Sequence, residues 1–143
     1  MLRFDPMRSV VVFLGCFPNE AEASAVRAAE FGWSLESAPT LADLRKLNES
    51  SHVIAVFFDA ETVGLSWPQA LDSVRDIAPS ALPIACQKFS DKLPWPALAA
   101  AGMFHTVPRP FKAGEVRQSL GFVWQAILRR SQALLSLSSV SCA

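Results

Sequence analysis

A chain of 143 residues fits one domain, and it is long enough to bury a core without disulfides or a metal to staple it. With 51% hydrophobic and 18% charged residues, ten Phe and four Trp, it lies far from disordered composition. Thirteen basic residues balance thirteen acidic ones and no Lys/Arg run exceeds Arg129-Arg130, which argues against a nucleic-acid or anionic-membrane partner.

The segment from Met1 to Met7 carries Arg3 and Asp5 ahead of an apolar run ending at Leu14. That run is too short to span a bilayer and no small-residue cleavage site follows, so membrane targeting is not expected. Ser9 to Leu14 is continuously apolar at strand length, the pattern of a strand covered on both faces. Pro18 and Asn19 open an Ala/Glu-rich helix that reaches Phe31 and stops at Gly32. Trp33 to Ser37 reads as a short second strand. Thr40-Leu-Ala-Asp43 is a capping box with Asp in place of Glu, and Leu41, Leu44 and Leu47 continue it as a helix.

His52-Val-Ile-Ala-Val-Phe-Phe58 is a β-branched and aromatic run that ends on Asp59, placing a carboxylate at the carboxyl end of a strand. Ser66-Trp-Pro-Gln69 has the hydroxyl and Gln of a capping box, with Leu71, Val74 and Ile77 as the apolar side of a helix ending by Pro79. Leu82 to Cys86 reads as a fourth strand, Pro94 to Ala101 as a helix closed by Gly102, and Met103 to Val107 as a fifth strand. Pro108 and Pro110 then break the backbone. From Lys112, the residues Val116, Leu120, Val123, Trp124, Ile127 and Leu128 recur at steps of three and four, which predicts a long amphipathic helix. Leu134, Leu135 and Leu137 continue past the length a core requires and suit a partner helix or a homodimer seam, while the small polar tail from Ser136 should fray.

Strands alternating with helices require right-handed crossovers and a parallel sheet, hence an α/β three-layer sandwich. Sites in such sheets lie at the carboxyl ends of the strands near the switch in strand order. The candidates are therefore Gly15 to Pro18, Asp59 to Glu61, Cys86 to Lys88, and Pro108 to Phe111. The cysteines Cys16, Cys86 and Cys142 are too few and scattered for a zinc site or a disulfide framework, and their odd number fits a reducing compartment, the cytoplasm. His52 and His105 read as structural, and the Trp residues 33, 67, 95 and 124 as core or rim packing.

Ala101-Gly-Met-Phe-His-Thr-Val-Pro-Arg-Pro-Phe111 resembles the Ala-Gly-Ala-x-x-(aromatic)-x-x-Lys-Pro-Phe segment that closes response-regulator receiver domains of two-component signalling. Leu82-Pro-Ile resembles the start of that family's fourth strand, the run ending on Asp59 its third strand with the phosphoacceptor, and Gly15-Cys-Phe-Pro18 its Asp-Asp-x-Pro turn. The resemblance covers residues 8 to 130, leaving 131 to 143 as a helix extension and flexible tail. It implies a flavodoxin-like (βα)5 receiver sandwich and a cytoplasmic signalling role.

The departures are equally specific. In the family a hard divalent cation is held by the aspartate and by acidic residues after the first strand, positions that fall here on Gly15 and Cys16. Glycine has no ligating side chain and a thiol is a poor Mg²⁺ ligand, so no bound cofactor is expected unless Glu20 or Glu61 compensates. The family's lysine is replaced by Arg109, whose planar guanidinium could clamp Asp59 bidentately. The switch hydroxyl is missing, its position being Gln87, or Cys86 or Lys88 with the loop shifted by one, and Ala60-Glu61-Thr62-Val63 replaces the Met-Pro turn.

The expected function is an atypical, pseudo-receiver domain. It is not an enzyme and works by contacts with protein partners, such as a histidine kinase or another signalling protein, or with a second copy of itself. The alternatives are a working receiver phosphorylated at Asp59, and a small enzyme or cofactor binder on the same fold, for which no Gly-rich phosphate loop is visible. Asp59 also has an ordinary reading as a turn or capping residue, and Cys16 one as inert filler.

Overall fold

The computed structural model describes residues 8–17, 20–61, 63–88, 94–109, 111–112 and 114–141, without the side chains of Lys88 and 135–141. Strand β1 (Ser9–Leu14) is buried from Val10 onward. Val10, Val12 and Leu14 enter one core cluster, and Val11 and Phe13 the other. A strand whose alternate side chains are both buried must lie between two helical layers. Strand β3 (His52–Phe58) behaves identically, with Val56 and Phe58 on one side and Ala55 and Phe57 on the other.

The remaining elements are α1 (Ala21–Glu30), β2 (Ser34–Ala38), α2 (Leu41–Ser50), α3 (Trp67–Ile77), β4 (Leu82–Lys88), α4 (Trp95–Ala100), β5 (His105–Arg109) and α5 (Glu115–Ser141). The five strands form one parallel sheet in the order β2-β1-β3-β4-β5. Ala28 of α1 and Val116, Leu120 and Val123 of α5 cover one face; Leu44, Leu71, Val74 and Leu98 of α2, α3 and α4 cover the other. This is the flavodoxin-like three-layer sandwich that the alternation of strands and helices predicts. The order reverses at β1, so the carboxyl ends of β1 and β3 form the crevice where a site belongs.

Both predicted capping boxes form. Thr40 Oγ1 accepts from the Asp43 N–H at 3.2 Å, and Ser66 Oγ from the Gln69 N–H at 3.3 Å. Each such cap contributes about 1 kcal/mol to its helix. Among the described residues no helix is long and apolar enough to cross a membrane.

Two strand bounds need correction. Strand β5 is His105–Arg109 and not Met103–Val107: it runs through Pro108, which an edge strand tolerates because its outer side has no ladder to complete. Strand β4 likewise continues to Lys88, so Gln87 lies within it, paired with Pro108. Helix α5 runs to Ser141, so it takes in the start of the small polar segment from Ser136. On α5, Trp124 and Leu128 are 42% and 41% exposed, so the face packed on the sheet is the narrower stripe of Val116, Leu120 and Val123.

Candidate functional site

The strand registers assemble the site. Leu14 pairs with Phe58, so the chain leaves β1 through Gly15 and Cys16 beside Asp59. Phe58 also pairs with Ala85, which brings Cys86 to the level of Asp59, and Lys88 pairs with Arg109, which places that side chain at the same end of the sheet.

Asp59 is fully buried, and a carboxylate there requires partners. Its Oδ1 accepts from the Glu61 N–H at 3.0 Å, a local turn bond. Its Oδ2 accepts from Arg109 Nη1 at 3.2 Å. The same guanidinium donates from Nε to Glu20 Oε2 at 2.8 Å and from Nη2 to Glu20 Oε1 at 3.2 Å. Nη2 also donates to the Cys16 carbonyl at 3.0 Å, and the guanidinium carbon lies 4.3 Å above the Phe17 ring. Arginine's rigid fork suits this arrangement: side-on to one carboxylate, end-on to a second, and flat on an aromatic face.

Burial works against the charge of Arg109, but the Glu20 hydrogen bond and the charges of Glu20 and Asp59 outweigh it and raise its pKa further. Cys86 is buried close enough to Arg109, Asp59 and Glu20 to sense their charges; burial pushes its thiol well above the usual range, with Arg109 pulling the other way. Phe13, Phe17 and Phe111 close the floor, with ring centroids 4.8 Å apart for Phe13 and Phe17 and 6.0 Å for Phe13 and Phe111.

The structure therefore joins Asp59 to Arg109 as expected but relocates the bidentate clamp. The two-pronged contact is made to Glu20, and one N–H of the fork goes to Asp59. Gly15 holds φ 110° at the strand exit, and Cys16 contributes its backbone carbonyl while the residue itself is exposed. Of the fourth-strand candidates, Cys86 senses the charges of the site, and the half-buried Gln87 follows it in the strand. Pro18, Thr62, Pro110 and the Lys88 side chain lie outside the described residues. Phe17 and Cys16 fall within the candidate stretch Gly15 to Pro18; the contributions the sequence did not specify are the Cys16 backbone carbonyl and the Phe17 ring face.

A hard divalent cation requires several oxygen donors free to turn toward it. Here Glu20 and Asp59 both point at the Arg109 guanidinium, Gly15 has no side chain, and Glu61 contributes a backbone N–H. Among the described residues no group of three His, Cys, Asp or Glu is gathered closely enough to hold a metal. In this arrangement the Arg109 guanidinium bridges the Glu20 and Asp59 carboxylates.

No family model and no curated protein matches the sequence. The structure is similar to a signal receiver domain from Vibrio parahaemolyticus, with a TM-score of 0.70 at 15% identity, covering 87% of this chain and 96% of that one. It is similar to a response regulator from Thermotoga maritima, with a TM-score of 0.68 at 14% identity over 82% of this chain and 98% of that one. An adenylate cyclase structure from Rhodopirellula baltica reaches 0.70 at 12% identity over 90% of this chain and 97% of that one. At such identities the likeness establishes architecture alone. The chain has the fold of response-regulator receiver domains.

Proposed function

We propose that this chain is an atypical receiver module of a two-component type of signalling system, acting by protein contacts, with Mg²⁺-dependent phosphoryl acceptance at Asp59 lost or impaired. The observation that carries this reading is the Arg109 fork, which joins Glu20 to Asp59. Phosphoryl transfer to a carboxylate needs an exposed oxygen in line with the phosphorus and a cation to neutralise the developing charge. Asp59 is buried with both oxygens engaged, and the cation beside it is a side chain of the protein itself. The reading assigns no catalytic role to the chain. Its partners are cytoplasmic signalling proteins, a histidine kinase among them, which meet the face built from β4, α4, β5 and α5, with a second copy of the chain as a further candidate.

The competing reading is a working receiver, favoured by the position of Asp59 at the carboxyl end of β3 beside the switch in strand order. Intact mass after incubation with a small phosphodonor and Mg²⁺, with Asp59→Ala as control, separates the two. No mass gain supports the contact module. A Mg²⁺-dependent gain of one phosphoryl group that vanishes in the control establishes the working receiver.

A further inference from the structure

A cavity of about 260 Å³ opens between α1 and the start of α5, walled by Glu20, Ser24, Arg27, Lys112 and Arg117 and floored by Phe111. Its two arginines come from different helices and share one acid: Arg27 Nη1 lies 2.9 Å and Arg117 Nε 3.4 Å from Glu30 carboxylate oxygens. One carboxylate cannot neutralise two guanidiniums, and Lys112 adds another positive charge. The acid on the wall, Glu20, gives both its oxygens to Arg109, a cation it shares with Asp59, and the three lining cations Arg27, Lys112 and Arg117 still outnumber Glu20 and Glu30. Glu115 caps the Lys112 backbone N–H and lines the separate cleft between β5 and α5. The cavity thus has a net positive lining.

The geometry suits an oxyanion. Two guanidiniums approaching from separate helices offer paired N–H donors along more than one side of a tetrahedral group, and a lysine supplies a mobile point charge. Ser24, 3% exposed, sets a hydroxyl-bearing side chain into the wall beside them. The arginines are held only by partly exposed ion pairs, with side chains 48% and 66% exposed, and exposed pairs of this kind exchange readily for a better ligand. The volume lies just below the range of typical small-molecule pockets, which limits the ligand to a phosphate with a small organic group or none.

We propose that this cavity is a binding site for a small phosphate-bearing anion, either inorganic phosphate or a compact phosphomonoester, gripped by Arg27, Lys112 and Arg117. Glu20 borders both this cavity and the Arg109 bridge, so an occupant would sit one side chain away from the buried pair. The proposal does not depend on whether Asp59 accepts a phosphoryl group, because inorganic phosphate cannot transfer one.

The test is calorimetric titration of the whole chain with inorganic phosphate and, separately, glycerol 3-phosphate, at ionic strength held constant with chloride, together with amide NMR shifts. The expected result is saturable binding with shifts at Ser24, Gly114 and Val116, weakened at least tenfold in Arg27→Gln/Arg117→Gln and unchanged in Arg129→Gln. The tighter of the two ligands identifies the source of the phosphate group. Circular dichroism of the double variant keeps a folding failure from counting as support, and in that event Arg27→Lys/Arg117→Lys replaces it with the same tenfold criterion. A non-saturable response, or equal affinity in the folded double variant, overturns the proposal.

Discussion

Arg109 and Asp59 stand fifty positions apart in the chain and meet at 3.2 Å, with Asp59 wholly buried and the Arg109 side chain 12% exposed. The contact follows from strand registers on either side of β4, so it is built by the whole sheet and not by a local turn. The half-buried Glu20 and the fully buried Asp59 share that one guanidinium. Removing the shared cation therefore does more harm than removing either acid.

Arg109→Ala is expected to lower unfolding free energy by about 3–5 kcal/mol, the usual effect of removing one partner of a buried ion pair. Asp59→Asn should cost about 1 kcal/mol, because Arg109 keeps Glu20 and the amide keeps the shape. In the double variant the losses should be less than additive by roughly 1–3 kcal/mol, since the two side chains contact each other directly. Urea unfolding of the four proteins closes this cycle. Additive losses would show that the pair is not coupled.

Much of this was legible from the sequence wherever one segment carried the whole signal. The run from His52 to Phe58 had no helical alternative, and both capping boxes declared their helices through residues three apart. The pairing of Asp59 with Arg109 could be inferred from the two segments that resemble a known family. The role of Glu20 could not. It is the N-cap residue of α1, with no periodicity to mark it, and its partner lies 89 positions away. Strand β5 was misplaced for a related reason: a proline reads as a breaker unless the strand is known to be at an edge, and edge position is a property of the sheet order.

Adding an oxygen ligand should create a cation response only if the guanidinium is also replaced. Gly15 is a poor place for an acid, since φ 110° would strain any other residue by about 1–3 kcal/mol. Cys16 is exposed and free of that strain. Cys16→Asp alone should leave the melting temperature insensitive to Mg²⁺. Cys16→Asp with Arg109→Lys removes the fork between Glu20 and Asp59, and millimolar Mg²⁺ should then raise the melting temperature by roughly 2–4 °C, equivalent to about 1 kcal/mol. A Mg²⁺ response in the single variant would contradict the view that Arg109 keeps the carboxylates occupied.

The two described cysteines should differ sharply in reactivity. Cys16 is exposed, whereas Cys86 is buried and its thiol is pushed up by that burial, which depletes the reactive thiolate. In a Cys142→Ala background, a thiol reagent at pH 8 should modify Cys16 rapidly in native protein and reach Cys86 only on unfolding. Mass mapping of the labelled peptides reads this directly, and fast native labelling of Cys86 would place it elsewhere than beside Asp59.

His105 supplies a pH dependence whose sign can be worked out. Burial lowers its pKa below the ordinary 6.5, and its ring meets Phe122 edge-on at 5.2 Å. The unfolded chain therefore takes up the proton before the folded one does. As pH falls below about 6.5 the unfolded state binds more protons, and stability declines until the pH passes the lowered folded value. Above the ordinary value the contribution is fully present. Urea midpoints between pH 8 and pH 5 should fall toward acid, and His105→Gln should flatten that part of the profile. An unchanged slope in the variant would assign the decline to another group.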